Sequence, residues 1–297
     1  MMRMNAKRRR GLTLVELLIV LVILAIMTTV AITATDSLVD QGRYDATQRT
    51  LTNLRSAILG TPGTGNEAGL AGFVADIGRM PVSLDELLAQ GTLTPFIPYT
   101  FTKDGAAPDA SNPAAFTLGA GWRGPYVRLA AGTTLLRDGW GNAFDFAPGP
   151  PAIILSRGAD YVVNDPQPTD YNADLGLTIL PNEYVVPTMA FELYEISSAD
   201  GKMMKLTIAG DETARLEVIR VTNGVAAKLP DSPTFHFNGA TATLNLLNVT
   251  RGNMVVRAVV TKTATPATSL KESAWEYVTA TAQTSPVQKM LVRPIVP

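Results

Sequence analysis

The longest apolar run in the chain extends from Leu12 to Ile32 and is interrupted only by threonines and one carboxylate, Glu16. As a helix it is about 31 Å long, enough to cross the hydrocarbon core of a bilayer. Beyond it, Tyr44, Leu51, Leu54 and Ile58 recur at helical spacing, with Arg43, Asp45, Arg49 and Arg55 available for a wet side. The pattern predicts one spine helix from Leu12 to Leu59 whose second half lies against a globular head and completes its core. The β-branched run Thr28, Thr29, Val30, Ile32 and Thr33, and the later Gly42, are the places where this helix is expected to loosen.

The periodicity changes after Leu59. GTPGTGNE, Gly60 to Glu67, starts like a phosphate-binding loop, but it follows a helix and offers Asn66 and Glu67 where Lys and Ser or Thr are needed, so it reads as a linker. GFVADIGRMPVSLDELLAQG predicts a short helix, a turn at Pro81, and a second helix with a Ser83/Glu86 capping box. After Pro187 the chain alternates in short bursts separated by Gly, Asn, Asp and Pro: AFELYEI, MMKLTIAG, RLEVIRV, TFHFNG, TLNLLNV, MVVRAVV, WEYVTATA and KMLVRPIV. Such a series predicts a β-sandwich, immunoglobulin-like, that folds on its own. The expected class is therefore α+β: a leader over residues 1–11, a transmembrane and spine helix over 12–59, a head with a small antiparallel sheet over 60–186, and a sandwich over 187–297.

Composition narrows the chemistry. Among 297 residues there is no Cys and one His, which excludes disulfides, thiolate catalysis and Cys-type metal sites. The formal charge of −1 hides an asymmetry, because Arg3, Lys7, Arg8, Arg9 and Arg10 precede Gly11 and no acid does. Removing these five leaves 25 − 5 = 20 basic against 26 acidic residues, a charge of −6. A nucleic-acid partner, which needs a basic face, is not expected. The basic cluster is expected to stay in the cytoplasm and send the bulk of the chain outward. An ordinary signal anchor or a long secretory signal peptide accounts for that much, but neither accounts for Glu16, since a carboxylate in a membrane span is costly and calls for a positive partner.

Gly11, Leu12, Thr13, Leu14, Val15 and Glu16, followed by the aliphatic run, resemble the prepilin-peptidase signature of type IV pilins and type II secretion pseudopilins. The resemblance implies cleavage between Gly11 and Leu12, N-methylation of Leu12, and assembly through Leu12, Thr13 and Glu16. The new amine lies about 6 Å along the helix axis from Glu16. The family pairs Glu16 of one subunit with the Leu12 amine of its neighbour, so that correct register satisfies a charge that wrong register would strand. Leu12 replaces the more usual Phe, and Thr33 stands where many relatives carry a kinking Pro. The implied partners are further pilins or pseudopilins, prepilin peptidase, and an inner-membrane assembly platform with its ATPase. The implied location is the bacterial inner membrane, single-pass, with the C-terminal domains periplasmic and later in a filament.

Three further segments, Gly124–Tyr126, Asp138–Phe144 and Ser156–Asp160, resemble the head of the major pseudopilin, where they build a small sheet against the spine. Gly139 and Gly141 permit a tight turn around Trp140, and Phe144 and Phe146 alternate onto one face. GADYVVNDPQPTDYNADLGL, with Asp160, Asp165, Asp170 and Asp174, is either a solvated loop whose acids favour turns or an oxygen-rich wrapping for Ca²⁺. The resemblance favours Asp160 and Asp174 as the side-chain ligands, although Tyr161 replaces the usual Gly. In the sandwich, His236 alternates with Phe235 and Phe237, and no catalytic set forms around a single His. Asn248-Val249-Thr250 matches a glycosylation sequon by pattern only. The leading expectation is a non-enzymatic filament subunit supporting protein secretion. The alternatives are an anchored adhesion or cargo-binding protein that uses the sandwich, and a membrane-bound enzyme.

Overall fold

The computed structural model describes residues 14–62, 70–129, 131–163, 171–208, 210–229, 234–236, 243–262, 268–281 and 287–295. A single helix, α1, runs unbroken from Leu14 to Leu59. The expected loosening does not occur; the hydroxyls of Thr28 and Thr29 donate back to the carbonyls of Leu24 and Ala25 at 2.7 and 2.9 Å, satisfying these groups within the apolar run. In its second half Leu51, Leu54 and Ile58 are buried and Tyr44 packs beside them, as the periodicity requires.

The head is assembled around that half. Strands β1 (Thr61–Pro62) and β2 (Leu70–Ala71) pair across the linker. Helix α2 (Phe73–Ile77) follows and is buried at every residue. Next come a 3₁₀ turn at Leu84–Leu87 and a hairpin of β3 (Ile97–Phe101) and β4 (Phe116–Ala120). A three-stranded antiparallel sheet is formed by β5 (Asp145–Ala147), β6 (Ala152–Ser156) and β7 (Leu175–Ile179). The capping box predicted at Ser83 is not formed: Ser83 makes no side-chain cap. Glu86 instead accepts the Val82 N–H at 2.9 Å and holds Arg79 in a bidentate pair. Arg79 draws the carboxylate away from the cap. Arg55, expected on the wet side, turns toward the head, where it pairs with Glu183 at the short helix α3 (Pro181–Tyr184).

Ten strands follow: β8 (Val185–Ile196), β9 (Met203–Lys205), β10 (Glu212–Thr222), β11 (Val225–Lys228), β12 (Thr234–His236), β13 (Thr243–Thr250), β14 (Gly252–Lys262), β15 (Thr268–Ser273), β16 (Glu276–Ala280) and β17 (Gln288–Pro294). They form one continuous sheet ordered β11-β10-β14-β15-β17-β8-β13, with β12, β16 and β9 pairing at β10, β14 and β8. All pairings are antiparallel except the parallel β8–β17. The sheet folds over on itself, and the inward residues of β8, β13 and β17 meet those of β10, β14 and β16 in one core that includes Phe191, Leu193, Leu216, Val218, Val256 and Met290. Asn223 and Gly224, both at positive φ, make the two-residue turn joining β10 to β11.

Strands β10 and β14 are buried on both faces. Their outward residues Ile219, Val221 and Val255 pack with Phe101, Leu118 and Ala120 of the head hairpin, with Trp275 alongside. Helix α2 is held from both sides: its Asp76 and Ile77 carbonyls accept the N–H groups of Gly121 and Gly224, at 2.9 and 2.8 Å, one from each part of the chain.

Candidate functional site

The first described residues of α1 present an apolar sleeve that none of the other described residues covers. Leu14 is 81% exposed, and Leu17 through Leu24 lie between 47% and 59%. Apolar residues occupy every side of this segment, so no single face is directed at a core. Glu16 sits in the first turn of α1, where a carboxylate is favoured by the helix dipole. Gly11, Leu12 and Thr13 lie outside the described residues. Among the described residues no helical stretch is long and apolar enough to cross a membrane. The described apolar stretch stops at Thr29, and the sequence continues it through Val30, Ala31 and Ile32.

A profile comparison matches residues 6–32 to the prokaryotic N-terminal methylation motif. The chain carries a prepilin-type signal. This motif marks the type IV pilin and pseudopilin family, whose members are generally non-enzymatic structural subunits. It implies a membrane-anchored prepilin, processed by prepilin peptidase and assembling with pilins. No curated protein and no solved structure matches the chain.

The head is attached to the spine through a polar contact that the apolar periodicity hides. Thr47 is fully buried on the same helical face as Tyr44 and Leu51; its hydroxyl donates to the Arg43 carbonyl at 2.9 Å and accepts the Gly139 N–H at 2.8 Å. Gly139 lies so close that a Cβ there would fall 2.0 Å from the Arg43 carbonyl oxygen. The buried Asp138 shapes this turn: it accepts the N–H groups of Trp140 and Asn142 and the Ser156 hydroxyl, the last at 2.7 Å. The first, second and fifth residues of the Asp138–Phe144 segment therefore act with Ser156 to hold the sheet on the spine. Thr47 was discoverable in the sequence as the one polar residue in the Tyr44, Leu51, Leu54, Ile58 register.

Gly124–Tyr126 does different work. The Tyr126 hydroxyl donates to Asp76 at 3.1 Å, and Arg123 pairs with the other carboxylate oxygen at 3.0 Å. Burial pushes the Asp76 carboxyl up to about 6 against the opposing pull of Arg123 and Tyr126. These groups line a groove of about 550 Å³ between α1 and the head, with Asn53 and Ser56 on its helix side.

In the loop proposed for calcium, the Asp160 carboxylate accepts the Val162 N–H at 2.9 Å, and Tyr161 adopts the left-handed conformation, φ 61°, that favours Gly. The Ala159 N–H donates to the Tyr171 carbonyl and closes the loop at its base. The Arg157 guanidinium pairs with Asp145 and lies over the Tyr161 ring, 4.8 Å from its centroid. Asn164, Asp165 and Asp170 lie outside the described residues, and among the described residues no three acids or histidines converge as metal ligands. The donors present are hard oxygens, the type calcium takes, but six to eight are needed.

The junction between head and sandwich holds a second buried charge cluster. Arg257 on β14 donates from Nη2 and Nε to one carboxylate oxygen, Oε2, of Glu217 on β10 at 2.5 and 3.1 Å, donates to the Lys103 carbonyl at 2.8 Å, and lies 4.8 Å over the Trp275 ring. Lys228 reaches Glu217 at 3.1 Å. Burial raises the Glu217 carboxyl, but Arg257 and Lys228 outweigh it and hold the group below the usual carboxylate range.

Proposed function

We propose that the chain is a structural subunit of a type II secretion pseudopilus or related type IV pilus-like filament, cleaved between Gly11 and Leu12 and assembled through α1 to support protein secretion. The observation that carries the reading is the division of α1. Its C-terminal half completes the head's core, whereas the described part of its N-terminal half carries apolar residues on every side and is left exposed by the other described residues. Such a sleeve is stable only in lipid or among other apolar helices. Before assembly it anchors the subunit in the inner membrane with the head outside; in the filament, neighbouring copies replace the lipid. Glu16 then pairs with the Leu12 amine of an adjacent subunit. The loop bearing Asp160 and Asp174 takes Ca²⁺ as a structural pin.

Intact-mass and N-terminal analysis of the membrane form tests the reading. A mature chain beginning at methylated Leu12 is expected; a chain retaining Met1, or one beginning after Ala34, overturns it. Glu16→Ala should enter the membrane normally yet fail to join filaments, and normal polymerisation of that variant would defeat the register argument.

A further inference from the structure

Strand β10 carries an arginine where alternation calls for an apolar side chain. Leu216 and Val218 belong to the core of the sandwich, and Arg220, two residues further on and opposite the core residue Met254 of β14, falls in the same inward register. A second arginine, Arg251, stands at the turn from β13 to β14, where its backbone N–H donates to the Tyr184 carbonyl at 2.7 Å. Both arginines line one small cavity of about 10 Å³, which Ala75 and Gly78 of α2 also border.

The charge in this cavity is one-sided. Among the described residues its lining holds two guanidinium groups and no carboxylate. The Nε atoms of Arg220 and Arg251 are both buried, and neither side chain has a hydrogen-bond or ion-pair partner among those residues. Arg257, on the outward face of β14, is treated differently, because Glu217 neutralises it and the Lys103 carbonyl accepts a further N–H. Burial lowers the pKa of Arg251 with no carboxylate to oppose it. Two like charges sharing a desolvated space repel each other, and a buried donor without an acceptor costs free energy, so the pair calls for an anion.

The walls decide its size. A Cβ on Gly252 would fall 3.2 Å from the Ala75 backbone, and one on Gly78 would fall 2.2 Å from the Val221 carbonyl oxygen. The β13–β14 turn and β10 therefore meet α2 backbone to backbone and leave little freedom to widen the space. A cavity of this volume admits about one water-sized sphere, too little for phosphate, sulfate or a carboxylate side chain. An anion of a single atom meets both requirements.

We propose that Arg220 and Arg251 hold a chloride ion between them, donating from their Nε–H groups, and that the ion ties the head to the sandwich where α2, β10 and the β13–β14 turn meet. The site is remote from the apolar half of α1 and does not depend on the filament reading.

Thermal melts of the full chain in detergent, at fixed pH and ionic strength, provide the test when sodium chloride is exchanged for sodium gluconate. Gluconate is too large for the cavity, and matched ionic strength holds screening constant. Raising chloride from about 1 to about 150 mM should lift the Tm saturably by about 2–4 °C, with bromide able to substitute. Arg220→Gln and Arg251→Gln should each abolish the rise. Arg220→Glu places a negative charge beside Arg251 within the chain itself, and should melt at one temperature in both salts. Equal wild-type melts in chloride and gluconate overturn the proposal. A rise that survives in both glutamine variants also overturns it, because the ion would then sit elsewhere. Should a glutamine variant fail to fold, the wild-type comparison and Arg220→Glu still decide the matter.

Discussion

Asp76 offers a quantitative test of how the head is held together. It is the only polar residue of α2, its side chain is 3% exposed, and its carboxyl is pushed from 3.8 up to about 6 by burial, which Arg123 and Tyr126 only partly offset. The folded state thus holds the proton more tightly than the unfolded chain. Its stabilising effect is fully present below pH 3.8 and is lost as pH rises through about 6. A shift of about two units corresponds to roughly 3 kcal/mol between the limits. Asp76→Asn keeps an acceptor for Tyr126 and removes the charge, so it should stabilise the head at pH 7.5 by up to about 3 kcal/mol and by almost nothing near pH 4. For a chain of this size that is a rise of about 6–12 °C in Tm at pH 7.5. Thermal melts of the full chain in detergent, followed through the fluorescence of Trp122, Trp140 and Trp275, measure the difference across that range. A difference that is flat with pH, or that favours the wild type most at pH 7.5, would refute the reasoning and show that the Arg123 pair outweighs desolvation.

Other outcomes follow from the same packing. Arg257→Ala leaves Glu217 buried and should cost about 3–5 kcal/mol, near the lower end because Lys228 and Arg215 remain; adding Glu217→Gln should recover part of the loss, measured by the same melts. Gly139→Ala forces a methyl into the Arg43 backbone, with an expected loss of about 1–3 kcal/mol and proteolytic release of the β5–β7 sheet from the spine. If calcium pins the loop, chelation should lower the Tm and added Ca²⁺ should restore it, a response absent in Asp160→Ala and Asp174→Ala; identical melts with and without the ion would remove the metal from the account.

The deletion of residues after Pro187, the obvious way to ask what the sandwich contributes, is confounded by the structure. It strips cover from Phe101, Leu118 and Ala120 and removes the Gly224 N–H from the end of α2. Point changes on the exposed face of β8, β13 and β17 separate a binding role from a folding one, because they leave that junction intact.

Much of this was legible in the amino-acid order because it depends on neighbours along the chain. The unbroken apolar run and the spacing of Tyr44, Leu51, Leu54 and Ile58 specify a spine with one wrapped half and one bare half. The Gly11–Glu16 signal depends on residue spacing alone, and alternation marked eight of the ten late strands. The two it missed, VAAK of β11 and TSLKES of β15, are too short or too polar to alternate; they pair because a hairpin turn and the flanking strands β14 and β17 bring them into register. MVVRAVV did carry a hint of burial on both faces of β14, but the partner covering the second face lies more than a hundred residues upstream. The Ser83 cap failed for a similar reason, since Arg79 competes for Glu86 in space and not through helical periodicity. Which residues share an environment across such distances is decided only when the chain closes, because burial and charge pairing depend on separation in space. Asp76 against Arg123, Thr47 against Gly139 and Glu217 against Arg257 therefore belong to the tertiary structure, while the spine and its signal belong to the sequence.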